Sequence, residues 1–150
     1  MSASSQLLLP LLGLYPFDAQ RGHGSFVTFS LTSTPDAPRE EHYFWVYMCH
    51  WEIQVGERKL AHSECADDQI DAAVAALNNR RLNEILLNSW VKEEGLYHDA
   101  ILFFENDLVM KLMQYQNAVD DYALFMTRDP AGRWIRYLSN GSILAEAAEG

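Results

Sequence analysis

The sequence predicts an α+β fold: mainly antiparallel, curved β-sheet built from hairpins, packed with one principal α-helix over about residues 67–79. Three observations carry this. Apolar residues alternate along several short segments, among them "SFVTFSL" and "HYFWVYMCHWEIQV". Turn residues separate such segments at Gly56-Glu57, Asn106-Asp107 and Asp129-Pro130-Ala131-Gly132. One stretch alone, "ADDQIDAAVAALNNR", has clear helical spacing. A length of 150 residues suits a single domain over 1–150. Such a chain buries about 70% of its unfolded surface, so it needs neither metal nor disulfide to fold. With 49% hydrophobic residues it is not a disordered tail.

The first apolar run, Leu7 to Leu14, resembles a signal-peptide core. No Lys or Arg precedes it, Pro10 and Gly13 interrupt it, and it is too short to span a bilayer. The expectation is a packed N-terminal segment of a soluble protein. Gly22 and Gly24 flank His23 in a turn. From Ser25 to Leu31 the residues alternate as a strand, with Val27, Phe29 and Leu31 on its core face. Thr32 to Glu41, with two prolines, is a loop. The longest strand is expected from His42 to Val55. Its odd positions (Tyr43, Trp45, Tyr47, Cys49, Trp51, Ile53, Val55) form a buried face. Its even positions begin apolar and open to solvent at His50, Glu52 and Gln54. Gly56-Glu57 turns the chain into a partner strand, Arg58 to Ser63. A two-residue loop pairs Val55 with Arg58, Ile53 with Leu60 and Trp51 with His62, leaving His50 and His62 on opposite faces.

In the helix, Ile70, Val74 and Leu77 share a stripe. Asp67 and Asp68 suit its N-terminal cap and dipole, and Asn78 and Asn79 can end it. Arg81 to Trp90 is ambiguous: Leu82, Ile85, Leu86 and Trp90 have helical spacing, but the run is short, and the reading leans towards a strand. Two hairpins follow, Asp99 to Tyr115 with Asn106-Asp107 at its tip, and Asp121 to Ser139 with a type I turn at Asp129.

The residues that invite a chemical reading are Cys49 and His50 with His62 and Cys65. Zinc needs ligands converging tetrahedrally at about 2.0–2.3 Å. Adjacent strand residues leave opposite faces, so Cys49 and His50 cannot share one closed site without a bulge. Cys49 reads as a small core residue. Ser25 lies in G-H-G-S-F, which is not a nucleophile elbow, and His23 has no evident acidic partner. Cys65 precedes the helix, where Asp67 and Asp68 disfavour a thiolate. Gly22 and Gly24 begin no phosphate-binding fingerprint. The expectation is therefore no catalytic residue, no metal and no cofactor. Two cysteines suggest a reducing compartment and no disulfide framework.

The formal net charge of −10 would repel phosphate backbones and anionic lipids and attract a basic partner. Core packing explains most of the 12% aromatic residues, and exposed members are suited to anchor a protein interface.

The stretches "RGHGSFVTF", "FWVYMCHWEI" followed by "LAHSE", the short helix and "YLSNGSI" together resemble small bacterial proteins of the polymorphic-toxin immunity type. The resemblance spans roughly Gly22 to Ile143. It implies an inhibitor that binds a protein toxin and carries over no catalytic residue. The loop "TSTPDAPREEHYF" is longer than the resemblance leads one to expect.

The reading is thus a cytoplasmic, non-enzymatic immunity or antitoxin-type protein that occludes a toxin's active site with an acidic surface. Its expected partner-binding residues are His50 and Glu52 on the open strand face, Glu93 and Glu94 before the late hairpins, and Asp120 and Asp121 between them. Direct nucleic-acid or membrane binding is not expected. One alternative is a small-ligand-binding or enzymatic domain using the concave sheet face, with His50, His62 or His98 inside. A third is an acidic nucleic-acid mimic.

Overall fold

The computed structural model describes residues 3–22, 26–93, 95–114 and 122–146. Its main feature is antiparallel β-sheet, with one 3-10 helix (Ala3–Leu11) and one α-helix, α1 (Asp67–Ala75). The strands are β1 (Tyr15–Arg21), β2 (Val27–Thr32), β3 (His42–Val46), β4 (His50–Val55), β5 (Arg58–His62), β6 (Leu82–Lys92), β7 (Gly95–Phe104), β8 (Leu108–Met113), β9 (Ala123–Arg128), β10 (Trp134–Leu138) and β11 (Ile143–Ala145). They form two sheets. Sheet A has the order β1-β2-β3-β9-β10-β11 and sheet B the order β5-β4-β8-β7-β6.

One core joins the two sheets. Sheet A contributes Val27, Phe29, Leu31, Phe44, Val46, Phe125, Ile135 and Tyr137; sheet B contributes Trp51, Ile53, Ala61, Leu82, Ala100, Leu102, Phe104 and Leu112. Within sheet A the aromatic rings run from strand to strand: Phe29 stacks on Phe44 and Phe44 on Phe125, each with centroids 4.9 Å apart, and Phe125 meets Tyr137 at 5.4 Å. Phe29 meets Phe104 of the other sheet edge-on at 6.3 Å. Such pairs add about 0.5–1.5 kcal/mol each beyond the area they bury. Burial also pushes the Tyr137 phenol up to about 12, with Asp99 adding to the effect. Its hydroxyl donates to the Asp99 carbonyl at 3.2 Å.

The single strand expected from His42 to Val55 is two strands in different sheets, β3 in A and β4 in B. The break, Tyr47 to Cys49, is pinned to β9: Tyr47 N–H donates to the Leu124 carbonyl and Met48 N–H to the Ala123 carbonyl. Facing sheets present opposite sides to a shared core. A chain that crosses between them must therefore exchange the side it buries. Phe44 and Val46 point inward from β3, whereas Trp51 and Ile53 point inward from β4. The buried odd-numbered face holds for β4 and fails for β3, where Tyr43 and Trp45 lie on the outer side, half-buried.

The hairpin after Gly56 also departs from expectation. Val55 pairs with Arg58, but a bulge between Ile53 and Gln54 sets Ile53 against Ala61 and Glu52 against His62. One extra residue flips every later side chain. Ala61 takes the core position intended for Leu60, and His62 shares the outer face with Glu52 and His50 instead of lying on the other side of the sheet.

Residues 82–92 form a strand, consistent with the leaning of the sequence. Asn106 and Asp107 both adopt positive φ (60° and 62°) in the three-residue turn that joins β7 to β8. Gly132 N–H closes the Asp129 turn at 2.9 Å. Helix α1 is shorter than the expected 67–79: α-helical geometry stops at Ala75, and turns continue to Asn79, whose φ is 63°. Its N-cap is Ala66, without a side-chain cap. Asp67 and Asp71 instead meet Arg21 of β1, at 3.7 and 2.9 Å, tying α1 to sheet A. The N-terminal leucines pack as expected, with Leu8 and Leu11 in the core. Strand β1 was not foreseen; its interruption by Pro16 and by Asp18 (φ 52°) hides the alternation.

Candidate functional site

Because β3 turns its even positions inward, Tyr43 and Trp45 join the outer surface of sheet A. The register then assembles a constellation. Tyr43 lies opposite Arg128, and Arg128 opposite Trp134 on the next strand. The guanidinium sits over both rings, 5.1 Å from the Tyr43 centroid and 5.5 Å from that of Trp134. Each such contact is worth about 0.5–1 kcal/mol at an accessible site. Glu40, in the loop before β3, accepts from Arg128 Nη2 at 2.8 Å and from Ser30 Oγ at 2.9 Å. Arg128 is thus held by two rings and a carboxylate, with its remaining edge towards solvent.

Around it the aromatics are continuous. Trp45 meets Trp134 at 6.4 Å, Tyr47 at 4.9 Å and Phe26 at 6.1 Å, and Phe26 meets Tyr47 at 5.1 Å. They border an open groove of about 560 Å³, lined by Gly22, Phe26, Thr28, Tyr43, Trp45, Arg128 and Trp134. The Trp45 Nε1–H is buried and has no acceptor among the described residues. A buried donor left unpaired costs about 1–3 kcal/mol. The groove therefore offers flat apolar walls and one fixed cation.

The other outer face, on sheet B, holds two of the sequence-predicted residues. His50 and Glu52 share it with His62, opposite Glu52 on one side, and Lys111, opposite Glu52 on the other. Glu52 accepts from Lys59 Nζ at 2.9 Å, and its side chain is only 14% exposed, so its charge is already matched inside the sheet. His62 belongs to a local turn: its Nδ1 accepts from Glu64 N–H at 3.1 Å, and its own N–H donates to Cys65 Sγ at 3.4 Å. The "HSEC" cluster is thus a turn leading into α1. Cys49 lies in the core, its Sγ 3.5 Å from the Leu124 carbonyl, and burial pushes its thiol far up. Among the described residues, no group of three or more His, Cys, Asp and Glu is placed to hold a metal.

Glu93 is exposed in the turn after β6, with φ 57°, three strands from His50 and beyond the end of that ladder. It does not converge with His50 and Glu52. Glu94, Asp120 and Asp121 lie outside the described residues, as do His23 and Ser25. His98 caps neither face: Ser89 Oγ lies 2.9 Å from its Nδ1, and its ring fills the space above Gly141, where a Cβ would approach to 2.7 Å. None of His50, His62 and His98 lines the aromatic groove.

Asp99, on the outer face of sheet B, is the one half-buried carboxylate there with a shifted titration. Desolvation raises its pKa against the opposing pull of the Trp90 Nε1–H donor, and its Oδ1 has no partner among the described residues. The neighbouring His98 also pulls this pKa down electrostatically, although adjacent residues on β7 leave opposite faces of the sheet.

Sequence reasoning missed Phe26, Tyr43, Trp45, Arg128 and Trp134 as site residues. The signal was present in "HYFWV", where both alternating faces are apolar: a half-exposed strand seldom spends aromatics on both sides without a use for the outer one. Compared with known proteins, the chain matches no family model and no curated protein sequence.

Proposed function

We propose that this is a non-catalytic binding protein of the immunity type, which neutralises a protein toxin by seating the outer face of sheet A on it. The observation that supports this most is the groove of Phe26, Tyr43, Trp45 and Trp134 around Arg128. Trp, Tyr and Arg are the residue types that dominate interface energetics, and here they are contiguous and braced by one another. The occupant is an apolar side chain of the partner with a neighbouring carbonyl or carboxylate, which Trp45 Nε1–H and Arg128 receive. The net charge of −10 favours a partner that is basic overall and speeds its approach. In this reading the protein is cytoplasmic and not an enzyme, and its class is α+β, with α1 against a curved sheet. No helix among the described residues is long and apolar enough to cross a membrane.

The test is co-expression with the toxin encoded beside it, scored by pull-down and by cell survival. Rescue by the native chain and loss of rescue with Trp134→Ala, the fold being intact, is the expected result. Absence of both complex and rescue would remove the reading.

A second reading has its own support in the buried, unpaired Trp45 donor: a small acceptor-bearing ligand in the groove. A thermal-shift screen separates the two. Stabilisation by a small molecule that disappears in Trp45→Phe, which removes only the N–H, would favour the ligand over the toxin.

A further inference from the structure

The lining of the aromatic groove selects its occupant by charge. Among the described residues that line it, Arg128 alone is charged, and its guanidinium is engaged by Glu40 at 2.8 Å. The lining is therefore close to neutral, while the whole chain carries −10. An anionic occupant would meet that field with no unmatched cation in the lining to receive it. A cationic occupant would seek the ring faces, where Arg128 already lies over Tyr43 and Trp134. What fits between these walls is neutral, flat and apolar. Hydrogen bonding narrows the class. The guanidinium can only donate, and its side chain is 39% exposed with Nη2 committed to Glu40. An occupant rich in acceptors and poor in donors suits it. The ring spacing gives a length. The steps from Phe26 to Trp45 and from Trp45 to Trp134 are 6.1 and 6.4 Å. Each equals about two residues of a polyproline II helix, which rises about 3.1 Å per residue.

We infer that the groove takes a proline-rich segment of the partner, in the polyproline II conformation and flanked by basic residues. This rests on the reading of the outer face of sheet A as the partner-binding surface, and it names the chemistry that surface receives. Proline is neutral, presents a flat apolar ring to an aromatic wall, and has no N–H to leave unpaired. A polyproline II segment makes no internal hydrogen bonds, so its carbonyls are open to the Arg128 guanidinium. It is also largely ordered before it binds, which lowers the entropy lost on docking. Beside the groove the Glu40 side chain is 41% exposed, and with the net charge of −10 it favours lysine or arginine next to the prolines.

The test is calorimetric titration of the full chain with a synthetic peptide of five prolines flanked by lysines. Saturable binding is expected, and the same peptide with alanines for prolines should bind about tenfold more weakly or worse. Trp134→Ala should weaken the proline peptide by about tenfold or more with an unchanged circular dichroism spectrum. Arg128→Gln, which keeps the length of the side chain, replaces it if Trp134→Ala does not fold. Glu40→Gln leaves Arg128 unmatched and should shift the preference by about threefold from lysine-flanked towards glutamate-flanked peptides. Leu86→Ala on sheet B should change nothing. No binding at millimolar peptide, equal binding of the alanine peptide, or insensitivity to both groove variants would each overturn the inference. Saturable binding of cellobiose in place of the peptide would assign the groove to a glycan and overturn it too. Rescue from the toxin without peptide binding would remove this inference and leave the immunity reading standing. Peptide binding without rescue would keep the groove's chemistry and remove the toxin.

Discussion

The outer faces of the two sheets make opposite use of the same kind of surface. On sheet B the central charge, Glu52, is matched by Lys59 and lies between His62 and Lys111, and its side chain is largely covered. On sheet A the central charge, Arg128, is sandwiched between two rings, leaned on Glu40, and left at the mouth of a groove beside an unpaired indole N–H. The first arrangement is complete in itself. The second is incomplete, since it has rigid apolar area and a donor that nothing in the described chain uses.

The comparison is broken most severely from inside. Phe44 and Trp45 are neighbours that face opposite ways, and truncating them should separate fold from face. Phe44→Ala removes the middle ring of the sheet A stack and should cost about 3–5 kcal/mol in urea unfolding. Trp45→Ala, cut from a half-buried position, should cost about 1–2 kcal/mol. Equal losses would mean that Trp45 is a core residue and that the outer face is not a distinct surface.

Next in size is binding. By calorimetry with the partner, Trp134→Ala should weaken affinity by about 30-fold or more, the scale of a hot-spot truncation. His50→Ala should change it by less than about threefold. The reverse order would move recognition to sheet B.

A smaller effect tests the claim that Glu52 is satisfied within its sheet. Lys59 is 73% exposed, so the pair is screened, and Glu52→Gln should cost no more than about 1 kcal/mol in thermal or urea melts. A larger loss would show Glu52 holding the β4–β5–β8 ladder together.

The smallest effects differ in sign between the two regions. Asp99 on sheet B has its pKa raised by desolvation. The native state therefore holds the proton at higher pH than the unfolded chain does. The stability this gives is present below the ordinary carboxylate value and is lost as pH rises through the raised one. Asp99→Asn should melt higher than the native chain at neutral pH, and the gain should vanish on acidification. Glu41, beside sheet A, accepts from the Ser33 N–H and hydroxyl and from Thr32 Oγ1, which lower its pKa. Its contribution is present at neutral pH and is lost as pH falls through the lowered value. Glu41→Gln should melt lower at neutral pH and converge with the native chain in acid. Melting curves of both variants across the acid range would show opposite slopes, or refute the assignment.

Much of the fold was legible locally. Val27, Phe29 and Leu31 alternate against Thr28 and Ser30, and they fill the core as that alternation says. Asn106-Asp107 and Asp129-Pro130-Ala131-Gly132 turn the chain because their backbone preferences are properties of a few adjacent residues. The aromatic groove was not legible, because its members come from β3, β9, β10 and the approach to β2, and only the strand order brings them together.

The sequence by itself determined that this chain is mostly antiparallel strand, where its tight turns lie, and that Cys49 is a core residue. The tertiary structure decided which side of each strand meets water. Alternation has a period of two and says only that two sides differ. When both sides are apolar, as in "HYFWV", the sheet a strand joins chooses between them. The crossing at Tyr47 to Cys49 sent Tyr43 and Trp45 outward and Trp51 inward. One bulged residue in β4–β5 moved His62 onto the face of His50 and Glu52. Both decisions are set by pairing partners far away in sequence, whose positions no local pattern encodes.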